Sequence, residues 1–149
     1  MIKIEYAERH DLELVLEMYL DGLEEMGEAM LKPNPEKCAA EVLLSWAGCP
    51  QILLVDEDGI FGFAGLKRIV PEYTNDNCIN DYMFYIRPDK RSVKAAKMLS
   101  DAAQKVANDY KEPLYMSHFV GDKDFLTKCK FLERWGYECL SVQVRYKGV

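Results

Sequence analysis

Lys90, Arg91, Lys94 and Lys97 fall within eight residues, with no acid among them. They lie in the stretch YIRPDKRSVKAAKML, where a β-type run meets Pro88 and a helix begins at about Ser92. A helix N-terminus presents unpaired backbone N–H groups and a partial positive charge, so it receives phosphate readily. Cationic side chains at that end oppose the helix dipole, a cost that a bound anion relieves. The stretch therefore reads either as a phosphate cradle or as a basic first turn facing solvent. It is neither a Walker loop nor a GxGxxG dinucleotide loop, because the glycines of both are missing.

The rest of the chain narrows the choice. Its formal net charge is −6 at pH 7. An acidic chain is a poor nucleic-acid binder, since it lacks the basic face that displaces counterions. Its five cysteines (Cys38, Cys49, Cys78, Cys129 and Cys139) are odd in number and form no CxxC pair. They read as reduced thiols of a cytoplasmic protein. No metal is expected, because His10 and His118 stand at no ligand spacing. No apolar run approaches the roughly 20 residues that cross a bilayer, and acids follow Met1 too closely for a signal peptide. No membrane partner is therefore expected. The 149 residues suit one domain spanning 1–149, long enough to bury its own core.

Elements that position the basic stretch follow from periodicity. Residues 1–6 alternate as a short strand. Asp11 is placed to cap a helix with Leu12, Val15, Leu16, Tyr19, Leu20 and Leu23 on one stripe. The acids of that helix, Glu13 through Glu28, form either a solvated face or a rim that attracts a cation. Asn34 and Pro35 start a second helix reaching about Ala47, and Gly48 ends it. QILLV is a strand, DEDG a tight turn and IFGFAGLKRIV its hairpin partner. Gly62 and Gly65 within that partner predict a bulge or the close approach of another backbone or a ligand. CINDYMFYI is a fourth strand. A helix from Ser92 to about Tyr110 carries Ala96, Leu99, Ala103, Val106 and Tyr110 on one stripe. PLYMSHF is a fifth strand. Asp122 or Asp124 caps a helix through Trp135, and YECLSVQVRY is a last strand. The order β-α-α-β-β-β-α-β-α-β predicts an α/β protein with a mixed central sheet. Its first half is antiparallel, a β-α-β crossover follows, and helices cover both faces.

With that order in place, the sequence resembles the GNAT superfamily of acyl-CoA N-acyltransferases over nearly its whole length. The family's signature after strand four is an aliphatic residue, x, Pro, two residues, then Arg/Gln-x-x-Gly-x-Gly/Ala. Here Ile86, Pro88, Arg91 and Ala96 match, and Lys94 stands where the family usually has glycine. KFLERWGYE is similar to the family's lYeklGFe, and IKIEYAERHDLELV to its opening strand and helix.

The resemblance implies an N-acetyltransferase that moves an acetyl group from acetyl-CoA directly to a primary amine. It implies that Arg91, Ser92, Val93, Lys94, Ala95 and Ala96 hold the pyrophosphate. Phe84 and Ile86 would present backbone groups to the pantetheine, and Lys90 or Lys97 would reach the 3′-phosphate. The family's frequent tyrosine acid is replaced by Leu132, and Tyr137, in the phenylalanine position, is expected to pack. Asp81 and His118 are the candidate bases, each with an alternative as a structural residue. Glu25 and Glu28 are expected to line the acceptor side. Tyr82 is assigned to the substrate site, with core packing as its alternative. The acceptor is a small-molecule or protein amine, and the variable loops around 25–35 and 71–77 would shape its pocket. A homodimer through the last strand is expected. The alternative is a GNAT-fold binding or regulatory module without transfer chemistry, toward which Lys94 and Leu132 both point.

Overall fold

The computed structural model describes residues 1–26, 32–117 and 125–140. Five strands form one sheet in the order β1-β2-β3-β4-β5. These are β1 (Lys3–Tyr6), β2 (Ile52–Asp56), β3 (Gly59–Ile69), β4 (Cys78–Ile86) and β5 (Leu114–Tyr115). The first four pair antiparallel, and β5 pairs parallel to β4. The helices are α1 (Leu12–Glu25), α2 (Pro35–Gly48), α3 (Val93–Tyr110) and α4 (Phe125–Arg134). This is the mixed α/β architecture expected, including the β4-α3-β5 crossover.

Alternation along the strands divides the core between the two faces of the sheet. Ile52, Leu54, Ala64, Leu66, Phe84 and Ile86 pack with Ala95, Leu99, Ala103 and Val106 of α3. Leu53, Phe63, Tyr82, Met83 and Tyr85 pack on the other face with Val15 and Met18 of α1 and Val42 of α2. Each fully buried side chain of this kind contributes about 1.5–3 kcal/mol, and Phe63, Met83 and Phe84 are the large ones at the centre of β3 and β4. On α3 the buried stripe runs through Ala95 rather than Ala96, and Tyr110 is exposed.

Local chemistry sets most boundaries. Asn34 Oδ1 accepts the Lys37 N–H at 3.1 Å, which caps α2 with Pro35 in its first position. Ser92 Oγ accepts the Ala95 N–H at 3.0 Å and caps α3. Gly136, at φ 95°, lets the chain turn so that the Tyr137 N–H reaches the Leu132 carbonyl at 2.9 Å, closing α4. This is the left-handed closure that glycine favours.

Several expectations need correction. The Asp11 carboxylate makes no cap to α1; it turns back and accepts the Glu8 N–H at 2.8 Å, closing a short 3₁₀ turn. The fifth strand is only Leu114–Tyr115. It stops because the Ser117 N–H goes to the Asp81 side chain at 2.9 Å instead of continuing the ladder. Residues 137–140, expected to open the last strand, are irregular. The remainder of that strand, the dimer expected through it, and the caps at Asp122 and Asp124 lie outside the described residues.

Candidate functional site

The site is built around β4, whose two edges are treated differently. Toward β3 it pairs along its whole length, with one irregularity: Gly65 faces Met83, while Leu66 faces Asp81. Tyr82 is the extra residue of this bulge, and its ring lies over Gly65. A Cβ at 65 would come within 2.3 Å of a ring carbon. Gly62 likewise lets the Tyr85 carbonyl approach, to 2.8 Å from where a Cβ would stand. Both glycines thus mark the bulge and close approach that the sequence suggested.

Tyr82 itself is 3% exposed. Its hydroxyl donates to Gln51 Oε1 at 2.7 Å, and its ring meets Tyr19 edge-on at 5.1 Å between centroids. Burial pushes its phenol well above the ordinary range. It belongs to the core beneath α1, and no acceptor can reach it there. Gln51, fully buried, accepts the Leu66 N–H at 3.1 Å and donates to the carbonyls of Leu66 at 2.7 Å and Cys49 at 2.9 Å. Its amide thereby extends the β2 ladder next to the bulge.

The bulge also shifts which residues face the opposite edge. The Ile79 N–H bonds to the Pro113 carbonyl, whereas the Arg87 N–H bonds to the Phe61 carbonyl on β3. Counting back from Arg87, Phe84 and Ile86 turn their backbone groups toward the β5 side. On that edge β4 and β5 pair only at Ile79–Leu114 and Asn80–Tyr115. Among the described residues the β4–β5 ladder ends there, and β5 itself spans only Leu114–Tyr115.

From Ile86 the chain turns through Pro88 into the N-terminus of α3. Here the basic cluster resolves into paired and unpaired charges. Arg91 donates through Nε to the Ile86 carbonyl at 2.8 Å, forms a bidentate pair with Glu25 at the end of α1, and lies 5.7 Å from the Tyr85 ring centre. Lys90 donates to Asp56 at 2.6 Å and to Asp58 at 2.7 Å, in the β2–β3 turn. Lys97 pairs with Asp101 one turn along α3 at 2.8 Å. Arg87 approaches Glu17 at 3.8 Å. Lys94, in the family's glycine position, is exposed and has no acid partner among the described residues. So Lys90 and Lys97, expected at a 3′-phosphate, are engaged by carboxylates. Glu25, expected at the acceptor side, instead binds Arg91. The residues fit an anion in another way: Ser92 caps only the Ala95 N–H, and Lys94 projects from the same turn.

Asp81 is fully buried. Its Oδ1 accepts the Ser117 N–H at 2.9 Å and lies 3.4 Å from Ser117 Oγ. His118 and Glu28 lie outside the described residues. Tyr137 is the residue that sequence reasoning set aside. Its hydroxyl accepts a bond from Ser100 Oγ of α3 at 2.9 Å. Burial raises its pKa, with hydrogen bonds from Ser100 and Gln104 pulling the other way and the nearby Asp81 charge adding to the rise. Only the GYE segment next to α4 could have hinted at it.

A cleft of about 640 Å³ opens beside Asn80 and Ser117, walled by Pro71, Tyr73, Tyr115 and Tyr137. Asn80 Oδ1 on that wall is shielded from solvent and has no hydrogen-bond partner among the described residues.

The fold is shared with solved structures. A predicted acetyltransferase from Clostridium acetobutylicum, with acetyl-CoA, superposes with a TM-score of 0.72 at 16% identity, covering 99% of this chain and 96% of that one. The chain has the GNAT acetyltransferase fold. An aminoglycoside acetyltransferase from an uncultured soil metagenomic sample matches at a TM-score of 0.68 and 17% identity, over 98% and 95% of the two chains. AAC(6′)-Iy in complex with the bisubstrate analogue CoA-S-monomethyl-acetylneamine matches at 0.69 and 13%, over 100% and 99%. No family profile and no curated protein matches the GNAT-fold chain by sequence.

Proposed function

We propose that the protein is an N-acetyltransferase that moves an acetyl group from acetyl-CoA to a primary amine within a ternary complex. The observation that carries this reading is the end of the β4–β5 ladder at Asn80–Tyr115 among the described residues, on the strand that runs on to the Ser92-capped N-terminus of α3. The first-turn N–H groups of α3 and the Lys94 ammonium are suited to the pyrophosphate. The backbone of Phe84 and Ile86 faces the path of the pantetheine. The tyrosine walls of the cleft suit an amine carrying N–H donors.

The chemistry follows from that placement. The ammonium loses a proton to water in the cleft, and the free amine attacks the thioester carbonyl. Holding both reactants at one edge of β4 replaces a bimolecular encounter. A β4 backbone N–H beside the bulge meets the oxyanion. As the tetrahedral adduct collapses the C–S bond breaks, the departing thiolate takes the Tyr137 proton, and the surplus proton on the new amide nitrogen passes through water to restore the phenol.

Isothermal titration with acetyl-CoA and CoA is the test, followed by thiol release with aminoglycosides and polyamines as acceptors. We expect Arg91→Ala to weaken acetyl-CoA binding about tenfold, a loss of about 1.4 kcal/mol, because the loop then loses its ties to Ile86 and α1. We expect Tyr137→Phe to lower kcat about a hundredfold without changing that affinity. Absence of acetyl-CoA binding by the wild type defeats the reading. One observation favours a second reading: Arg91, Lys90 and Lys97 are all neutralised by carboxylates. Binding of CoA with no thiol release for any amine would establish that second reading, a GNAT-fold module without transfer chemistry.

A further inference from the structure

We infer that Asp81 is the spacer that opens the sheet, a positioning residue and not the base. β4 and β5 pair at Ile79–Leu114 and Asn80–Tyr115 and then stop. In an unbroken parallel ladder the Ile79 carbonyl would take the Tyr115 N–H, and the next acceptor, for Ser117, would be the backbone carbonyl of Asp81. The structure puts the carboxylate of the same residue there instead, at 2.9 Å.

A side chain reaches farther from the strand axis than a carbonyl does. The Asp81 carboxylate therefore satisfies the Ser117 N–H in place of the next rung, and among the described residues the ladder ends at that point. The bulge at Tyr82 lies on the opposite edge at the same place. It turns the next backbone groups, those of Phe84 and Ile86, toward the edge that faces β5, where Arg91 Nε takes the Ile86 carbonyl. Full burial makes the bond a requirement, since a carboxylate removed from water must be hydrogen-bonded. It also leaves Asp81 poorly placed to take a proton from an entering amine.

The claim about the sheet stands on geometry alone; its consequence for catalysis rests on the acetyl-CoA reading. Asp81→Asn keeps an oxygen at the Ser117 N–H, and Asp81→Ala removes it. Amide exchange of Ser117 in the ligand-free protein is expected to stay within twofold of wild type for Asp81→Asn and to change at least tenfold for Asp81→Ala. Acetyl-CoA affinity and the pH profile of kcat are expected to survive in Asp81→Asn. In Asp81→Ala, affinity is expected to fall at least tenfold. Unchanged Ser117 exchange in Asp81→Ala overturns the spacer, whatever acetyl-CoA does. A hundredfold fall of kcat in Asp81→Asn with affinity intact overturns it in favour of a base, and that variant decides the matter if Asp81→Ala does not fold. A wild type that binds no acetyl-CoA defeats the transferase reading and leaves the exchange result standing.

Discussion

The two edges of β4 meet opposite fates. Toward β3 the pairing runs from Cys78 to Ile86 and absorbs an extra residue without opening. Toward β5 it lasts two residue pairs and then gives way. On the closed edge, glycine removes volume so that an irregular ladder stays sealed, while on the far side of β3 the Gln51 amide supplies backbone-like bonds to Leu66. On the open edge, a carboxylate supplies one backbone-like bond at greater length, and the ladder comes apart. One kind of substitution, side chain for backbone, therefore gives opposite results. The position of the polar group relative to the ladder decides which.

The comparison breaks most severely at Gly65. Gly65→Ala forces a methyl into the Tyr82 ring and should cost about 3 kcal/mol, read as a lowered denaturation midpoint. The Tyr82–Gln51 bond should be lost with it. A result within 0.5 kcal/mol of wild type, on the order of an ordinary surface change, would mean that the closed edge does not need its glycine. Smaller effects separate the two kinds of cation beside the open edge. Lys94→Gln should weaken acetyl-CoA binding about threefold and reduce its salt dependence, as loss of an exposed, unpaired charge does. Lys90→Gln should leave affinity within about twofold, because that ammonium already belongs to Asp56 and Asp58. Equal losses would show that both lysines face the ligand.

The smallest effect is in acid. The hydrogen bond from Lys90 lowers the Asp56 pKa below its ordinary 3.8, and that from Arg68 lowers Glu112 below 4.5. A lowered folded-state pKa gives stability that is present above the unfolded value and lost as pH falls through the folded one. Melting temperature should therefore decline below about pH 4, and Asp56→Asn should make that decline shallower. An unchanged slope would remove the β2–β3 turn from the account.

The meander β2-β3-β4 was legible because its signals are local: alternation, a DEDG turn and two glycines in one strand. The mixed sheet and the crossover followed from element order. The state of the charges was not legible. Arg91 and Glu25 are 66 residues apart, and Lys90 reaches back 34 residues to Asp56, so a cluster without acids in sequence is well supplied with them in space. For Asp81 the sequence left two roles open, base or structural residue, for a related reason. A single acid in an apolar strand suggests a base, and its partner, Ser117, comes beside it only through the α3 crossover. Tyr137 was expected to pack, and what its neighbourhood does not reveal is the bond from Ser100, 37 residues away.

The location of the bulge also orders events in time. β2 and β3 are joined by two residues, and β3 and β4 by residues 70–77, whereas β5 closes onto β4 only after all of α3. Short loops close at lower entropic cost, so the meander, with Tyr82 already seated over Gly65, assembles before β5 arrives. Substitutions at Gly65 should then slow refolding, and those at Ser117 should chiefly quicken unfolding, a division that chevron kinetics reads directly. The parting of the sheet is thus prepared in β4 before there is a fifth strand to part from.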